Sequence, residues 1–113
     1  MCSRAKANQI IEQMSQSIRT LFPDSSLDVI LYGSYARHEE TDESDIDVMY
    51  LVDAPRSVIS DRNWQIGEAA AAVLMEHGVM ISPVVENKDY FMEKSDILPF
   101  FRNIQREGVR ISA

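Results

Sequence analysis

The segment Ile46-Asp47-Val48-Met49-Tyr50-Leu51-Val52 constrains the fold more than any other part of the chain. It is apolar on both alternating sets, with Ile46, Val48, Tyr50 and Val52 on one side and Met49 and Leu51 on the other, and only Asp47 breaks the run. A strand with two apolar faces needs cover on both, so the chain must put layers of structure above and below a sheet. The flanking segments suit that task. From Ser3 to Phe22, Ala7, Ile10, Ile11, Met14, Ile18, Leu21 and Phe22 recur at three- and four-residue steps before Pro23, the pattern of an amphipathic helix. Leu27 to Tyr32 reads as a strand running into Gly33-Ser34, with a single helical turn from Ser34 to about His38. Ser57 or Ser60 is the expected cap of a long helix through Trp64, Ile66, Ala69, Ala70, Val73 and Leu74, which Gly78 stops after His77.

Val79 to Glu86 reads as a third strand, at an edge or bulged because Pro83 lacks an N–H. Asn87 or Asp89 opens a short helix in this reading, and Asp96 caps a last one through Ile97, Leu98, Phe100, Phe101 and Ile104 before Gly108. Val109 to Ser112 closes the chain as a small strand. The expectation is one domain over residues 1–113, of α/β (α+β) class, with a small mixed sheet of three to four strands flanked by helices. Trp64, Met75, Met80 and Tyr90 are expected in its core, and His77 at a helix end near the dipole.

Charge narrows the partners. Eighteen Asp and Glu against eleven Lys and Arg give a net charge of -7, which opposes sequence-independent contact with a phosphate backbone and makes nucleic acid an unexpected partner. No apolar stretch reaches the roughly 18 to 20 residues that cross a bilayer, and the opening Met-Cys-Ser-Arg-Ala-Lys lacks an apolar signal core, so a cytoplasmic protein without membrane contact is expected. Cys2 is the one cysteine and cannot form an internal disulfide; a zinc site would have to draw on His38 and His77, both expected at the surface.

The chemistry concentrates in Leu31-Tyr32-Gly33-Ser34-Tyr35-Ala36-Arg37 and the acidic stretch that follows. Between His38 and Pro55 there are seven carboxylates and no Lys or Arg. Glu39, Glu40, Asp42 and Glu43 read as a solvated loop. Asp47 does not fit that reading, because it interrupts an otherwise apolar strand. Asp45 and Asp47 are two apart, so their side chains leave one face with Cα atoms roughly 6.5 to 7 Å apart and their carboxylates can converge. Two such anions repel and resist desolvation, and no basic residue is near in sequence to offset them. A hard divalent cation is the simplest compensation, since Mg2+ is held by one or two carboxylates and completes its shell with water and phosphate oxygens. Gly33 permits a sharp turn and a close approach to a ligand, and Ser34 offers a hydroxyl beside backbone N–H groups that suit phosphate.

A hydrophobic strand, Gly-Ser, ten residues and Asp-hydrophobic-Asp, present as Leu31-Tyr32-Gly33-Ser34 and Asp45-Ile46-Asp47, resembles the minimal nucleotidyltransferases of the DNA polymerase β superfamily. Gly33 to Arg37 matches the Gly-Ser-x-Ala-Arg extension, and Ser44-Asp45-Ile46-Asp47-Val48 matches the second half of the signature. The likeness extends to the leading helix and to Phe101-Arg102-Asn103-Ile104 with Glu107-Gly108.

The resemblance implies a nucleotidyltransferase fold in which Gly33, Ser34 and Ser44 serve nucleotide binding and Asp45 and Asp47 are catalytic ligands of two Mg2+ ions. Arg37 is either a phosphate contact or a salt-bridge partner of the acidic loop. Two departures stand out. His38 occupies a position where the family often has Gly, and Ser82 stands where many members carry a third carboxylate. Glu86, on the alternating face of Ser82 and Val84, is the only acid on that strand, either as a displaced third acid or as an exposed strand end.

Short members similar to this chain act as antitoxins of HEPN/minimal-nucleotidyltransferase pairs, attaching AMP from ATP to a helical HEPN partner. That makes a protein hydroxyl the expected acceptor, the more so because 113 residues leave no separate acceptor-binding domain. A catalytically inactive binding subunit and an adenylyltransferase for a small molecule are the alternatives. The wide apolar arc of the last helix suits association with the partner or with a second copy as a homo-oligomer.

Overall fold

In the computed structural model, which describes residues 3–111, ten elements follow one another along the chain. They are α1 (Arg4–Leu21), β1 (Leu27–Tyr32), α2 (Gly33–Ala36), β2 (Ile46–Val52), α3 (Arg56–Asp61), α4 (Asn63–His77), β3 (Ile81–Asn87), α5 (Lys88–Lys94), α6 (Pro99–Glu107) and β4 (Val109–Ile111). Cys2 and Ser112 lie outside the described residues. The strands form one mixed sheet in the order β3-β2-β1-β4. β1 is antiparallel to both β2 and β4, while β2 and β3 are parallel and joined through α3 and α4. No helix among the described residues is long and apolar enough to cross a membrane.

The two faces of β2 are covered as its pattern requires. Ile46, Val48, Tyr50 and Val52 pack with Ala7, Ile10, Ile11, Met14 and Ile18 of α1 and with Ile66 and Val73 of α4. Met49 and Leu51 join Ile30, Phe91, Phe101 and Ile104 beneath α5 and α6. A fully buried aliphatic side chain in such a layer contributes roughly 1.5–3 kcal/mol. The Tyr50 hydroxyl crosses the first layer and donates to the carbonyl of Ile11 at 2.9 Å, so this buried polar group is satisfied. Central β2 is therefore held immobile from both sides, and Asp47 near its start inherits that rigidity.

Local signals set the element ends. The Ser3 hydroxyl accepts from Lys6 N–H and starts α1. Asn87 accepts from Tyr90 N–H and starts α5. Gly78 ends α4 at φ +67°, where a side chain would be strained. Pro83 lies on β3, an edge strand, as its missing N–H demands.

Several expectations fail for identifiable reasons. The long helix expected from Ser57 or Ser60 is two helices: Pro55 caps α3 ahead of both serines, and the path breaks at Arg62, whose guanidinium lies 5.3 Å from the Phe22 ring centre. The buried stripe of α4 is Ile66, Ala69, Ala70 and Val73, at helical spacing, which leaves Trp64 77% and Met75 87% exposed. Met80 precedes β3 and is also exposed, while Tyr90 is half-buried against the α5–α6 layer. The third strand starts at Ile81 rather than Val79. The last helix starts at Pro99 with Leu98 as its cap, not at Asp96, because Pro is pre-shaped for a first helical position. His77 does end α4, yet its side chain is buried, with Nε2 2.8 Å from Gln13 Oε1 of α1, so it ties helices together and is no surface residue. His38 is exposed.

Candidate active site

The end of the sheet where β1 stops and β2 begins brings most of the motif together. Tyr32 is the register partner of Asp47, and the chain turns at Gly33 immediately afterwards. Gly33 has φ +74°, and a Cβ built there would run into Oδ2 of Asp47. Both facts require glycine: the dihedral disfavours any side chain, and the backbone must press against the carboxylate. Ser34 follows in the single turn of α2, half-buried, with its carbonyl accepting from Glu39 N–H at 2.9 Å.

The acidic loop is shaped rather than merely solvated. Ser44 Oγ accepts from Thr41 N–H at 2.8 Å and its own N–H donates to Thr41 O at 3.1 Å, a closed turn that delivers Asp45 to the start of β2. Glu40 is anchored by Arg4, which also donates to the carbonyl of Tyr35. Arg37 bridges Glu39 at 3.1 Å and Glu107 of α6 at 3.7 Å. His38 adopts φ +58°, the left-handed conformation that glycine tolerates best.

Electrostatically the carboxylates remain under-compensated. Burial, and then the charge of Asp45, push the Asp47 carboxyl above its ordinary value, and Arg37 only partly opposes them. The Tyr32 hydroxyl is pushed up to about 12, chiefly by burial and then by Asp47. No group of three or more Asp, Glu, His or Cys among the described residues is arranged to hold a metal by itself. Two carboxylates with a phosphate-compatible turn beside them nevertheless fit Mg2+, which keeps open positions for water and substrate oxygens.

The structure does not bring Glu86 to this place. Ser82 is the β3 residue in register with Asp47, whereas Glu86 pairs with Leu51, four residues and roughly 13 Å further along. Glu86 is 8% exposed, not an exposed strand end. Its carboxylate accepts from Arg56 Nε at 3.2 Å and from Asn87 N–H at 2.7 Å.

Two recesses flank the carboxylate pair. A cleft of about 650 Å³ on the α1–α4 side is bordered by Lys6, Ser44, Asp45, His77 and Met80. A smaller one, of about 190 Å³, lies between Gly33 and α6. Sequence reasoning missed the contributions of Lys6 and His77, since no motif marks residues brought in from the ends of α1 and α4. It noted Asn103 and Glu107 only as part of the likeness and gave them no role at the site, although Phe100, Asn103 and Glu107 recur at helical spacing.

The family model described as nucleotidyltransferase domain matches residues 11–102, more than half of the chain. Three proteins of Methanocaldococcus jannaschii, each named as a candidate protein adenylyltransferase, are similar. One is 30% identical over 98 residues, covering 87% of this chain and 90% of the relative. A second is 32% identical over 80 residues, covering 71% and 79%, and a third is 31% identical over 84 residues, covering 73% and 56%. No solved structure gives a significant match.

Proposed function

Because the chain belongs to the nucleotidyltransferase domain family, we propose that residues 1–113 act as one domain that transfers AMP from ATP to a hydroxyl of a second protein. The observation that carries this reading is the contact of Gly33 with the Asp47 carboxylate, two residues from Asp45, at the rigid end of a sheet. Asp45 and Asp47 would hold Mg2+, Gly33 would let the triphosphate approach the backbone, and Ser34 would donate its hydroxyl to a phosphate oxygen. When bound, two Mg2+ ions supply Lewis-acid stabilisation of the entering and leaving oxygens. The acceptor oxygen forms a bond to the α-phosphorus, the bond to the β-phosphate oxygen breaks, pyrophosphate leaves, and the acceptor proton passes to solvent. Ser82 supplies no carboxylate base, and general-base assistance is typically worth about 10²–10⁴-fold in rate. The missing acid therefore costs rate without forbidding the reaction.

A protein acceptor is supported by the relatives, and by the cleft of about 650 Å³ that opens beside Asp45. Exposed Trp64, Met75 and Ile97 offer apolar surface for association. The finer form of the proposal is a helical HEPN-type toxin as partner, with this chain as its antitoxin. The second reading, an inactive binding subunit, is favoured by Ser82 facing Asp47. Co-expression with the product of the adjacent open reading frame separates the two. The transferase yields partner carrying added AMP by intact-mass spectrometry, dependent on Asp45 and Asp47; a stable complex with unmodified partner supports the binding subunit.

A further inference from the structure

The small recess beside Gly33 sets motif residues against side chains of α6 that no part of the Gly-Ser or Asp-x-Asp motif explains. Its walls are Tyr32, Gly33, Arg37, Phe100, Asn103 and Glu107. At about 190 Å³ it is below the ~300 Å³ at which pockets for whole drug-sized ligands begin, so it takes one ring system rather than a complete nucleotide. Phe100 is 47% exposed, so its ring is accessible from the recess. The ring is also held in place. It meets Tyr32 edge-to-face at 5.8 Å and 81°, and lies 6.0 Å from Phe101, which is buried in the core.

Asn103 stands one helical turn further along α6, and its Oδ1 already accepts from Arg106 at 3.2 Å. Its amide NH2 group keeps donor capacity, and the oxygen keeps a second lone pair. The Arg37–Glu107 bridge closes the far rim. Gly33 is common to both places: it lines this recess and abuts the Asp47 carboxylate. The larger cleft, bordered by Asp45, offers no comparable surface, since its aromatic residue, Tyr35, is buried.

We propose that the recess between Gly33 and α6 receives the purine ring of the nucleotide, with Phe100 as its stacking surface and Asn103 reading its edge. The proposal rests on the reading that Asp45 and Asp47 hold the metal-bound triphosphate, because only then does the ring reach α6. Stacking of a base on an aromatic side chain suits any nucleobase, and a single asparagine amide pairs with the adjacent amine and ring nitrogen of adenine. A carboxylate at the rim accepts from the same amine, whereas it would face the O6 carbonyl of guanine held in that position. The larger cleft is then left for the acceptor, so the two reactants approach the carboxylate pair from opposite sides.

The test is calorimetric titration with two probes, Mg-ATP and Mg-tripolyphosphate, of the wild type and of Phe100→Ala, Phe100→Trp and Asn103→Ala. Phe100→Ala should weaken Mg-ATP roughly tenfold and leave Mg-tripolyphosphate within about twofold. Phe100→Trp should restore Mg-ATP binding, and Asn103→Ala should narrow the preference for Mg-ATP over Mg-GTP. Unchanged Mg-ATP affinity in both alanine variants overturns the proposal, as does an equal loss of both probes, which would make Phe100 a packing residue. Failure of the wild type to bind Mg-tripolyphosphate defeats instead the underlying assignment of the carboxylate pair.

Discussion

Asp47 and Glu86 lie at opposite ends of two paired strands, both taken partly or wholly out of water, and their surroundings differ in kind. Glu86 is buried and answered: Arg56 and the Asn87 N–H bond its carboxylate, and the Arg56 guanidinium sits 3.8 Å from the Tyr90 ring centre. At the same end, Asp53 accepts from the hydroxyl and N–H of Ser26, and those bonds hold its carboxyl below the ordinary value. Asp47 has a second carboxylate, Asp45, as its strongest charged influence after burial itself, and its carboxyl is raised. The fold satisfies one end of its sheet within the protein and leaves the other end electrostatically frustrated, and that contrast supports the proposed cation site. The same two strands thus separate a carboxylate that braces the structure from the one we propose to hold a cation.

The largest effect that would break this contrast is kinetic. Asp45→Asn and Asp47→Asn should each lower nucleotidyl transfer by about a hundredfold or more, read as initial rate of pyrophosphate release. Neither should destabilise the metal-free protein. The folded-state pKa of Asp47 lies above 3.8, so charging it opposes folding, and stability falls as pH rises from 3.8 through that raised value. Asp47→Asn should flatten this limb in thermal melts. Ser82→Asp comes next: an acid in register with Asp47 should raise transfer about tenfold, towards the lower limit of general-base catalysis. No gain would mean that removal of the acceptor proton does not limit the rate.

Glu86 should behave in the opposite sense. Glu86→Ala should cost about 1–2 kcal/mol in denaturant unfolding through its lost hydrogen bonds, with transfer by the folded protein changed by less than about twofold. A rate collapse matching the aspartate variants would erase the distinction between the two ends. The smallest effect concerns the loop: His38→Gly should relieve the left-handed strain and stabilise by up to about 1 kcal/mol, with no change in nucleotide affinity.

The sheet was largely legible because its signals are local. The two-sided β2 run, the strand ending at Tyr32, Pro83 at an edge and Gly78 after α4 each have one dominant physical cause. The sharp turn at Gly33 was legible too, but its approach to the Asp47 carboxylate was not, since the sequence implied a close approach only to a ligand. What was not legible depends on tertiary choice. The outward turn of Trp64 and Met75 follows from which stripe of α4 meets α1 and the sheet, and alanines on that stripe weaken the hydrophobic signal that would identify it. Burial of His77 depends on Gln13, 64 positions away in sequence, and the satisfaction of Glu86 depends on Arg56, 30 positions away.

The central claim is that the frustrated end of the sheet is a metal-dependent nucleotide site. Titrating ATP into the wild type and Asp47→Asn, with Mg2+ and with a chelator, tests it most directly. The account predicts saturable binding by the wild type with Mg2+, little with the chelator, and weak binding by the variant in both. Equal ATP affinity with and without the cation, or wild-type affinity in Asp47→Asn, would contradict it.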